Sequence, residues 1–253
     1  MPRFFVRQDA IAEGEILLRG EDAHHIARSL RMAVGDGVTV CDMQGNEYDC
    51  SILSFLEDAE VRVKILSTRH AENEPPCRIV LFQALPKGDK LDTVIQKAVE
   101  CGATEIVPFE SERCVVRMKP EAEEKKTERR QRIATEAAKQ CGRSVIPKVE
   151  RTVKFDEMLN LASACELGLF CYEGDGTIPL GELLREKKAT LTSSSVPSVA
   201  VIIGSEGGFS LAEVERARAR DLYPVGLGKR ILRTETASGF VLACLSFVTE
   251  LGG

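Results

Sequence analysis

Residues 1–72 contain short runs of β-branched and apolar residues that alternate with polar positions. Such runs, bounded by glycine-containing turns, are typical of strands in a small all-β module. The predicted strands are ILL (16–18), GVTVCD (37–42), EYDCSIL (47–53) and EVRVKIL (60–66). One helix is predicted over residues 21–32, with Ile26 and Leu30 on its buried face. The pattern therefore predicts a β-barrel with one short helix.

The hydrophobic period changes after the polar segment STRHAENEPPC (67–77), which reads as a linker. RIVLFQAL (78–85) is a nearly continuous apolar run, as expected of a strand that is covered on both faces. A helix over 91–101 and a second strand, TEIVPF (104–109), follow it. Strand, helix and strand in this order indicate a parallel sheet with crossover helices. The sequence thus predicts two domains, 1–72 and 73–253.

The remaining pattern continues the α/β alternation. It predicts a charged helix or helix pair over 119–142, strands at 166–171 and 198–204, and a surface loop at 193–198. Ser210 and Glu213 have the spacing of a capping box and fix the start of another helix. A last buried helix is predicted from a stripe at helical spacing, comprising Ala237, Phe240, Val241, Cys244, Leu245 and Val248.

Three of the predicted strands run into loops of small and polar residues. These loops are FCYEGDG (170–176), IGSEGGFS (203–210) and VGLGKRILRTE (225–235). Ligands of open α/β sheets bind beyond the carboxyl ends of the strands, so the loops predict a binding site there. Ordinary strand-to-helix connections are the alternative interpretation.

Composition and charge narrow the possible functions. Residues 1–72 carry 8 Lys and Arg against 13 Asp and Glu, while the remainder carries 26 of each, so any RNA contact must use local basic clusters. Nine cysteines without CxxC spacing argue against a zinc site and indicate a reducing cytosol. All three histidines precede residue 71, which excludes a histidine-based centre in the second domain. No apolar run approaches the roughly 20 residues of a membrane span.

The common nucleotide and hydrolase motifs are missing from the sequence. There is no GxGxxG after a strand, no GxxxxGK[ST], no GxSxG and no HExxH. The groups that the predicted site offers to a ligand are therefore its glycines, backbone amides and arginine side chains. Such a site suits a substrate that brings its own reactivity and needs binding, orientation and electrostatic support.

IGSEGGFS (203–210) followed by LGKRILRTETA (227–237) closely resembles the paired motif of a SPOUT-class methyltransferase family, which methylates N3 of a uridine in 16S-type ribosomal RNA. The resemblance covers nearly the whole chain. Further similar segments are PRFFV (2–6), HHIARSLRM (24–32), IQKAVECG (95–102), SERC (111–114) and KQCGR (139–143). Ser205 and Lys229 depart from the family, which usually has proline at the first position and often at the second.

The resemblance implies a PUA-like N-terminal β-barrel and an α/β C-terminal domain with a deep trefoil knot. It also implies a homodimer with the active site at or near the interface, bound S-adenosylmethionine and no metal. Ribosomal RNA or the small ribosomal subunit would be the substrate. The cofactor-binding residues implied by the motifs are Leu169, Tyr172, Gly204, Glu206, Gly207, Leu227, Gly228, Ile231 and Leu232.

Arg233 is the catalytic residue that the resemblance implies, because a guanidinium could orient the uracil or hold its anion. An ion pair with Glu235 or Glu206 is the alternative role, and the general base stays open. The implied RNA-binding residues are Arg3, Arg7, Arg28, Arg31, Lys87, Arg113 and Arg143. Two other functions remain possible at this point: a non-enzymatic RNA-binding or ribosome-assembly factor, and a transferase that binds phosphate in its glycine loops.

Overall fold

The structure, a computed structural model, describes residues 1–193 and 197–252, so residues 194–196 of the predicted surface loop lie outside the described residues. The chain forms two compact units. The first comprises Met1–Glu74 together with Ala138–Ile146, and the second comprises Pro75–Ala137 together with the chain from Pro147 onward.

The first unit is built on a six-stranded sheet. Its strands are β1 (Arg3–Phe5), β2 (Ile11–Ala12), β3 (Glu15–Leu18), β4 (Gly37–Cys41), β5 (Asn46–Leu56) and β6 (Glu60–His70). Their order is β1-β4-β5-β6-β3-β2, and only the β1–β4 pair is parallel. The four predicted strands are present. Within the described ranges no ladder joins β1 to β2, so the sheet is a half-barrel rather than the closed barrel that the pattern predicts.

The predicted helix over 21–32 is wrong in its second half. Helix α1 (Gly20–His24) passes into a π turn at His25–Ser29, in which the Leu30 amide donates to the His25 carbonyl. The wider turn rotates the following residues. Ile26 therefore stays in the core, whereas Leu30 is 40% exposed.

The second unit is a parallel sheet with helices, as predicted. The strands are β7 (Arg78–Ala84), β8 (Glu105–Glu110), β9 (Lys148–Val149), β10 (Val153–Lys154), β11 (Leu167–Cys171), β12 (Ile178–Pro179), β13 (Ser198–Ile203) and β14 (Tyr223–Gly226). Their order is β10-β8-β7-β13-β11-β14-β12, with β9 beside β8. The two-residue strands β9, β10 and β12 are not predicted, because so short a segment has no period.

The helices of this unit are α2 (Lys90–Glu100), α3 (Pro120–Cys141), α4 (Phe155–Ala162), α5 (Leu180–Glu186), α6 (Lys188–Leu191), α7 (Leu211–Arg218) and α8 (Thr234–Thr249). Four of them, α2, α3, α7 and α8, are predicted from the sequence, whereas α4, α5 and α6 are not. The capping box at the start of α7 is confirmed: Ser210 Oγ accepts from the Glu213 amide, and Glu213 accepts from the Ser210 amide. Along the described ranges, none of the helices combines the length and apolar character that crossing a bilayer requires.

The buried face of α8 differs from the predicted stripe. The side chains that it buries are Thr234, Ala237, Ser238, Val241, Leu242 and Leu245. Phe240 is 41% exposed and Phe247 is 56% exposed. The small polar residues Thr234 and Ser238 are therefore buried, whereas Phe240, which the pattern predicts to be buried, is exposed. Phe240 and Phe247 give α8 apolar surface that faces solvent.

A buried carboxylate joins three strands of the first unit. Glu47 on β5 accepts hydrogen bonds from Arg3 on β1 at 2.5 Å and from Arg69 on β6 at 2.8 Å. Burial alone would raise the pKa of Glu47, but the two guanidinium groups outweigh it and hold the pKa below its ordinary value of 4.5. The Glu47 carboxylate therefore stabilises the edge of this sheet electrostatically.

We expect Glu47→Ala to lower the free energy of opening of the β1–β4 ladder by about 3 kcal/mol, since Arg3 would keep a largely buried charge without a carboxylate partner. Amide hydrogen exchange of Thr39 measures this, with Asp9→Ala, at an exposed ion pair, as the control. Because the folded pKa of Glu47 is depressed, its contribution is complete above pH 4.5 and is lost as the pH falls through the folded pKa. Equal protection of Thr39 in the variant at pH 7 would contradict this role.

Candidate functional site

A cavity of about 560 Å³ lies at the carboxyl edge of the parallel sheet. The loops that follow β11, β13 and β14 meet there, as the sequence predicts. The predicted site residues that line the cavity are Tyr172, Gly204, Glu206, Leu227, Gly228, Ile231, Leu232 and Arg233. Its volume lies in the range of small-molecule sites.

A buried hydrogen-bond chain joins two of these loops. Thr234 Oγ1 donates to the Gly204 carbonyl at 2.6 Å, and Gln83 Nε2 donates to Thr234 Oγ1 at 2.8 Å. Gln83 is fully buried at the end of β7. The end of the second glycine loop is thereby fixed against the beginning of the first.

Glycine is required at two points of the cavity wall. Gly228 has φ +103°, a conformation that L side chains rarely adopt, and nothing lies within 4 Å of the place where a Cβ would be. Gly208 has φ +62°, and a Cβ there would overlap the carboxylate of Glu173. Gly228 thus leaves open space in the cavity, while Gly208 lets the first loop approach Glu173 closely.

Two predicted cofactor-binding residues do not line the cavity. Leu169 is fully buried within β11, where it pairs with Val201 and Tyr223 of the neighbouring strands. Gly207 instead contacts Arg113, whose guanidinium Nη1 donates to the Gly207 carbonyl at 3.1 Å. Their contact with a cofactor stays a prediction.

Lys90 is a cavity residue that is not predicted from the sequence, because it directly precedes the predicted helix over 91–101 and belongs to none of the glycine loops. Its ammonium donates to Glu206 at 2.7 Å and lies 3.9 Å from Glu235. Burial raises the pKa of Glu206, but the hydrogen bonds from Lys90 and from the Lys87 amide outweigh it, so the pKa lies below its ordinary value. Glu206 is therefore an anion that is already neutralised by a neighbour.

Arg233 keeps its charge available at the cavity. Its backbone carbonyl caps α8, and the side chain is exposed. Within the described residues Arg233 makes no ion pair, since both carboxylates of the alternative interpretation, Glu206 and Glu235, are next to Lys90. The guanidinium can therefore bind an anionic or carbonyl-bearing ligand.

The predicted RNA-binding residues fall into two groups. Arg3 is 13% exposed and pairs with Glu47, and Arg143 is 5% exposed and pairs with Glu74 at 2.6 Å. Both guanidinium groups pair with carboxylates inside the first unit, and their contact with RNA phosphate stays a prediction. The exposed members are Arg7, Arg28, Arg31, Lys87 and Arg113.

Polar groups inside the cavity region suit a ligand that can donate hydrogen bonds. Ser205 Oγ and Gln83 Oε1 are buried without a hydrogen-bond partner. Burial raises the pKa of the Cys171 thiol on the wall, so that thiol stays protonated and is a poor nucleophile. Within the described part of the chain, no three His, Cys, Asp or Glu side chains gather as metal ligands would.

Comparison with known proteins identifies relatives along the whole chain. Residues 73–246 match the family described as RNA methyltransferase domain, and residues 18–65 match the RNA methyltransferase PUA domain. The chain is 34% identical over 254 residues to "Ribosomal RNA small subunit methyltransferase E" of Bacillus subtilis (strain 168), covering 99% of this chain and 98% of that one. The protein of the same name from Synechocystis sp. is 33% identical, over 98% and 78% of the two chains.

Solved structures give the same result. The ribosomal RNA small subunit methyltransferase E of Neisseria gonorrhoeae, bound to S-adenosyl methionine, has a TM-score of 0.83 at 28% identity over 98% of both chains. A Legionella pneumophila protein in complex with bound SAM has a TM-score of 0.82 at 31% identity over 96% of both. The sequence resemblance to SPOUT-class enzymes with a PUA-like domain is thereby confirmed, and the chain belongs to the RNA methyltransferase domain family.

Proposed function

We propose that this chain transfers a methyl group from S-adenosylmethionine to N3 of a uridine in small-subunit ribosomal RNA. The observation that carries the proposal is the cavity of glycine loops at the carboxyl edge of the sheet, with the unpaired Arg233 on its wall. Two similar structures contain this cofactor, and the relatives are named as small-subunit ribosomal RNA methyltransferases. A simple RNA-binding factor would need neither the cavity of glycine loops nor an unpaired arginine on its wall.

The cavity fits S-adenosylmethionine chemically. Leu227 and Leu232 offer apolar contact to the adenine, and the open backbone at Gly228 offers room and peptide groups. The unpartnered Ser205 Oγ on the cavity wall would accept a hydrogen bond from a cofactor hydroxyl or amino group. When bound, the cofactor supplies a sulfonium methyl group, which is an electrophile.

Arg233 would act on the acceptor base. The N3 atom of uracil must lose its proton before it can accept a methyl group, and the negative charge then spreads onto the two neighbouring carbonyl oxygens. A guanidinium donates two hydrogen bonds in one plane and is suited to hold such an anion. Because Lys90 neutralises Glu206, the charge of Arg233 is left for the substrate.

Residues 1–72 would be the RNA-binding domain and residues 73–253 the methyltransferase domain. Arg7, Arg28 and Arg31 are exposed on the first unit and would position the RNA through its phosphates, without reading sequence. Reaching N3 requires a uridine that is extruded from its stack, as for other base-modifying enzymes. The nine cysteines are all free thiols, which favours the reducing cytoplasm as the place of action.

We also propose that the second domain contains the trefoil knot that its family resemblance implies. The contact that supports it is Thr234 with Gly204, since β14 lies on the far side of β11 from β13 and the chain must cross back to make this bond. Knots are rare in proteins, and the strand order alone does not require one. An experimental structure whose backbone reduces to a straight, unknotted line when its two ends are drawn apart would contradict the knot.

The exposed apolar face of α8 favours a homodimer. Phe240 and Phe247 lie on α8 and are each more than one-third exposed, and Leu251, just after the helix, is exposed as well. Exposed apolar surface of this kind marks an interaction site in many proteins. Docking of two copies through α8 would place the partner close to the cavity, because α8 begins directly after Arg233.

We expect Gly228→Asp to weaken binding of S-adenosylhomocysteine at least about 10-fold, because its side chain projects into the space that the cofactor would occupy. Isothermal calorimetry measures the affinity. Gly14→Asp is the matched control, since Gly14 has φ +80° and open space around its Cβ position but lies in the first unit. Unchanged affinity in a folded Gly228→Asp variant would place the cofactor elsewhere.

We expect Arg233→Ala to keep its affinity for S-adenosylhomocysteine while the rate of methyl transfer to small ribosomal subunits falls about 100-fold. Transfer of labelled methyl groups and mass-spectrometric mapping of the RNA give rate and position, with Arg185→Ala on α5 as an exposed arginine control. Full turnover in Arg233→Ala would end its catalytic role. Failure of the unaltered protein to label RNA would favour the non-enzymatic alternative.

We expect Phe247→Glu to convert a dimer into a monomer in sedimentation velocity, since a charge in an apolar interface stays unpaired. Leu211→Glu, at an exposed leucine on α7, should leave the dimer intact. A monomeric unaltered protein would contradict the proposed interface.

A further inference from the structure

The turn that follows β8 packs against the first glycine loop. We call residues Ser111–Cys114 the SERC turn and residues Gly204–Gly208 the glycine loop. Arg113 Nη1 donates to the Gly207 carbonyl at 3.1 Å, and a Cβ on Gly207 would lie 3.0 Å from the Cβ of Arg113. A side chain at position 207 would push the two segments apart, so glycine is needed there for contact with the turn.

A second set of bonds fixes the far end of the same loop. Glu112 Oε2 accepts from the Ser210 hydroxyl at 2.6 Å, and the Glu112 amide donates to Glu213 Oε1 at 2.7 Å. Glu213 also accepts from the Ser210 amide, within the capping box of α7. The SERC turn is thus attached to the chain on both sides of Phe209.

The SERC turn is itself held in one conformation. Arg117 Nη1 donates to the Ser111 carbonyl at 2.8 Å, and its Nη2 donates to the Glu112 carbonyl at 2.9 Å. The Ser111 hydroxyl and the Cys114 thiol, both buried, are 3.2 Å apart. A turn with so many internal bonds can impose its geometry on a flexible neighbour.

We propose that Arg113 and Glu112 are positioning residues that hold the glycine loop in its cofactor-binding conformation. The inference rests on the proposed function, because it takes the loop to bind S-adenosylmethionine. A loop with three glycines loses much conformational freedom when it is ordered. Because the SERC turn already orders the loop in the folded protein, this conformational entropy is lost on folding. It is therefore not lost again when the cofactor binds, and it does not reduce the affinity for the cofactor.

This role differs from the phosphate contact that the sequence resemblance implies for Arg113. A phosphate contact changes affinity for RNA and its salt dependence. A positioning role changes affinity for the cofactor in the absence of RNA, even though Arg113 does not line the cavity. The two roles therefore separate in a binding experiment that contains no nucleic acid.

The test uses Arg113→Ala in the full chain. We expect its affinity for S-adenosylhomocysteine, measured by calorimetry without RNA, to fall about 10-fold, the loss of one charge-assisted hydrogen bond. In turnover, KM for S-adenosylmethionine should rise while kcat at saturating cofactor and KM for RNA stay unchanged. Arg113→Lys should restore part of the affinity, and Arg132→Ala, at an exposed arginine of α3, should bind as the unaltered protein does.

Hydrogen exchange gives a readout that needs no cofactor. The Gly208 amide donates to the Ser205 carbonyl at 2.9 Å, and its exchange should accelerate about 10-fold in Arg113→Ala. Glu112→Ala should have the same effect, whereas Glu112→Gln keeps an acceptor for Ser210 and should not.

The outcomes distinguish the positioning role of Arg113 from the proposed methyltransferase function. Unaltered cofactor affinity in Arg113→Ala together with a raised KM for RNA would overturn the positioning role in favour of the phosphate contact. Unchanged exchange at Gly208 would overturn it as well. Absence of cofactor binding in the unaltered protein would contradict the proposed function, while the exchange experiment would still test the contact between turn and loop.

Discussion

The site depends on one buried contact, the hydrogen bond from Thr234 to the Gly204 carbonyl, which Gln83 supports from below. Three strands contribute to it: β7 supplies Gln83, β13 leads to Gly204, and β14 leads to Thr234. A carbonyl at the end of a strand needs a donor when it is withdrawn from water. Because the donor comes from the second glycine loop, the same bond that satisfies the backbone also fixes the width of the cavity.

Charge around the cavity follows from this arrangement. Once the glycine loop is fixed, the Glu206 carboxylate lies within reach of Lys90 and of the Lys87 amide. The Glu206 carboxylate is thereby neutralised, and Arg233 at the start of α8 remains without an anionic partner in the described structure. Because the Arg233 side chain is exposed, its charge stays hydrated and costs little stability, and it remains free to bind a ligand.

Local signals in the sequence predict the centre of the fold better than its details. The continuous apolar runs of β7 and β13 and the capping box at Ser210 identify the parallel sheet, and the loops after its strands locate the cavity. The π turn before Leu30 has no sequence signal of its own, because one additional residue in a helical turn does not alter the composition of the segment. Partners distant in sequence are also invisible: Arg3 and Glu47 are 44 positions apart, and Arg143 and Glu74 are 69 apart.

The contact between Gln83 and Thr234 also has a consequence for the time at which the site is formed. Its two residues are 151 positions apart, so the cavity cannot close until the chain from β7 to the start of α8 has emerged from the ribosome that makes it. Contacts of such long sequence separation are slow to form, since a large loop must close first. The sheet of the first unit, whose strands all lie between Arg3 and His70, can form while synthesis continues. A nascent copy of this chain therefore gains its binding cavity only after the start of α8 has been synthesised.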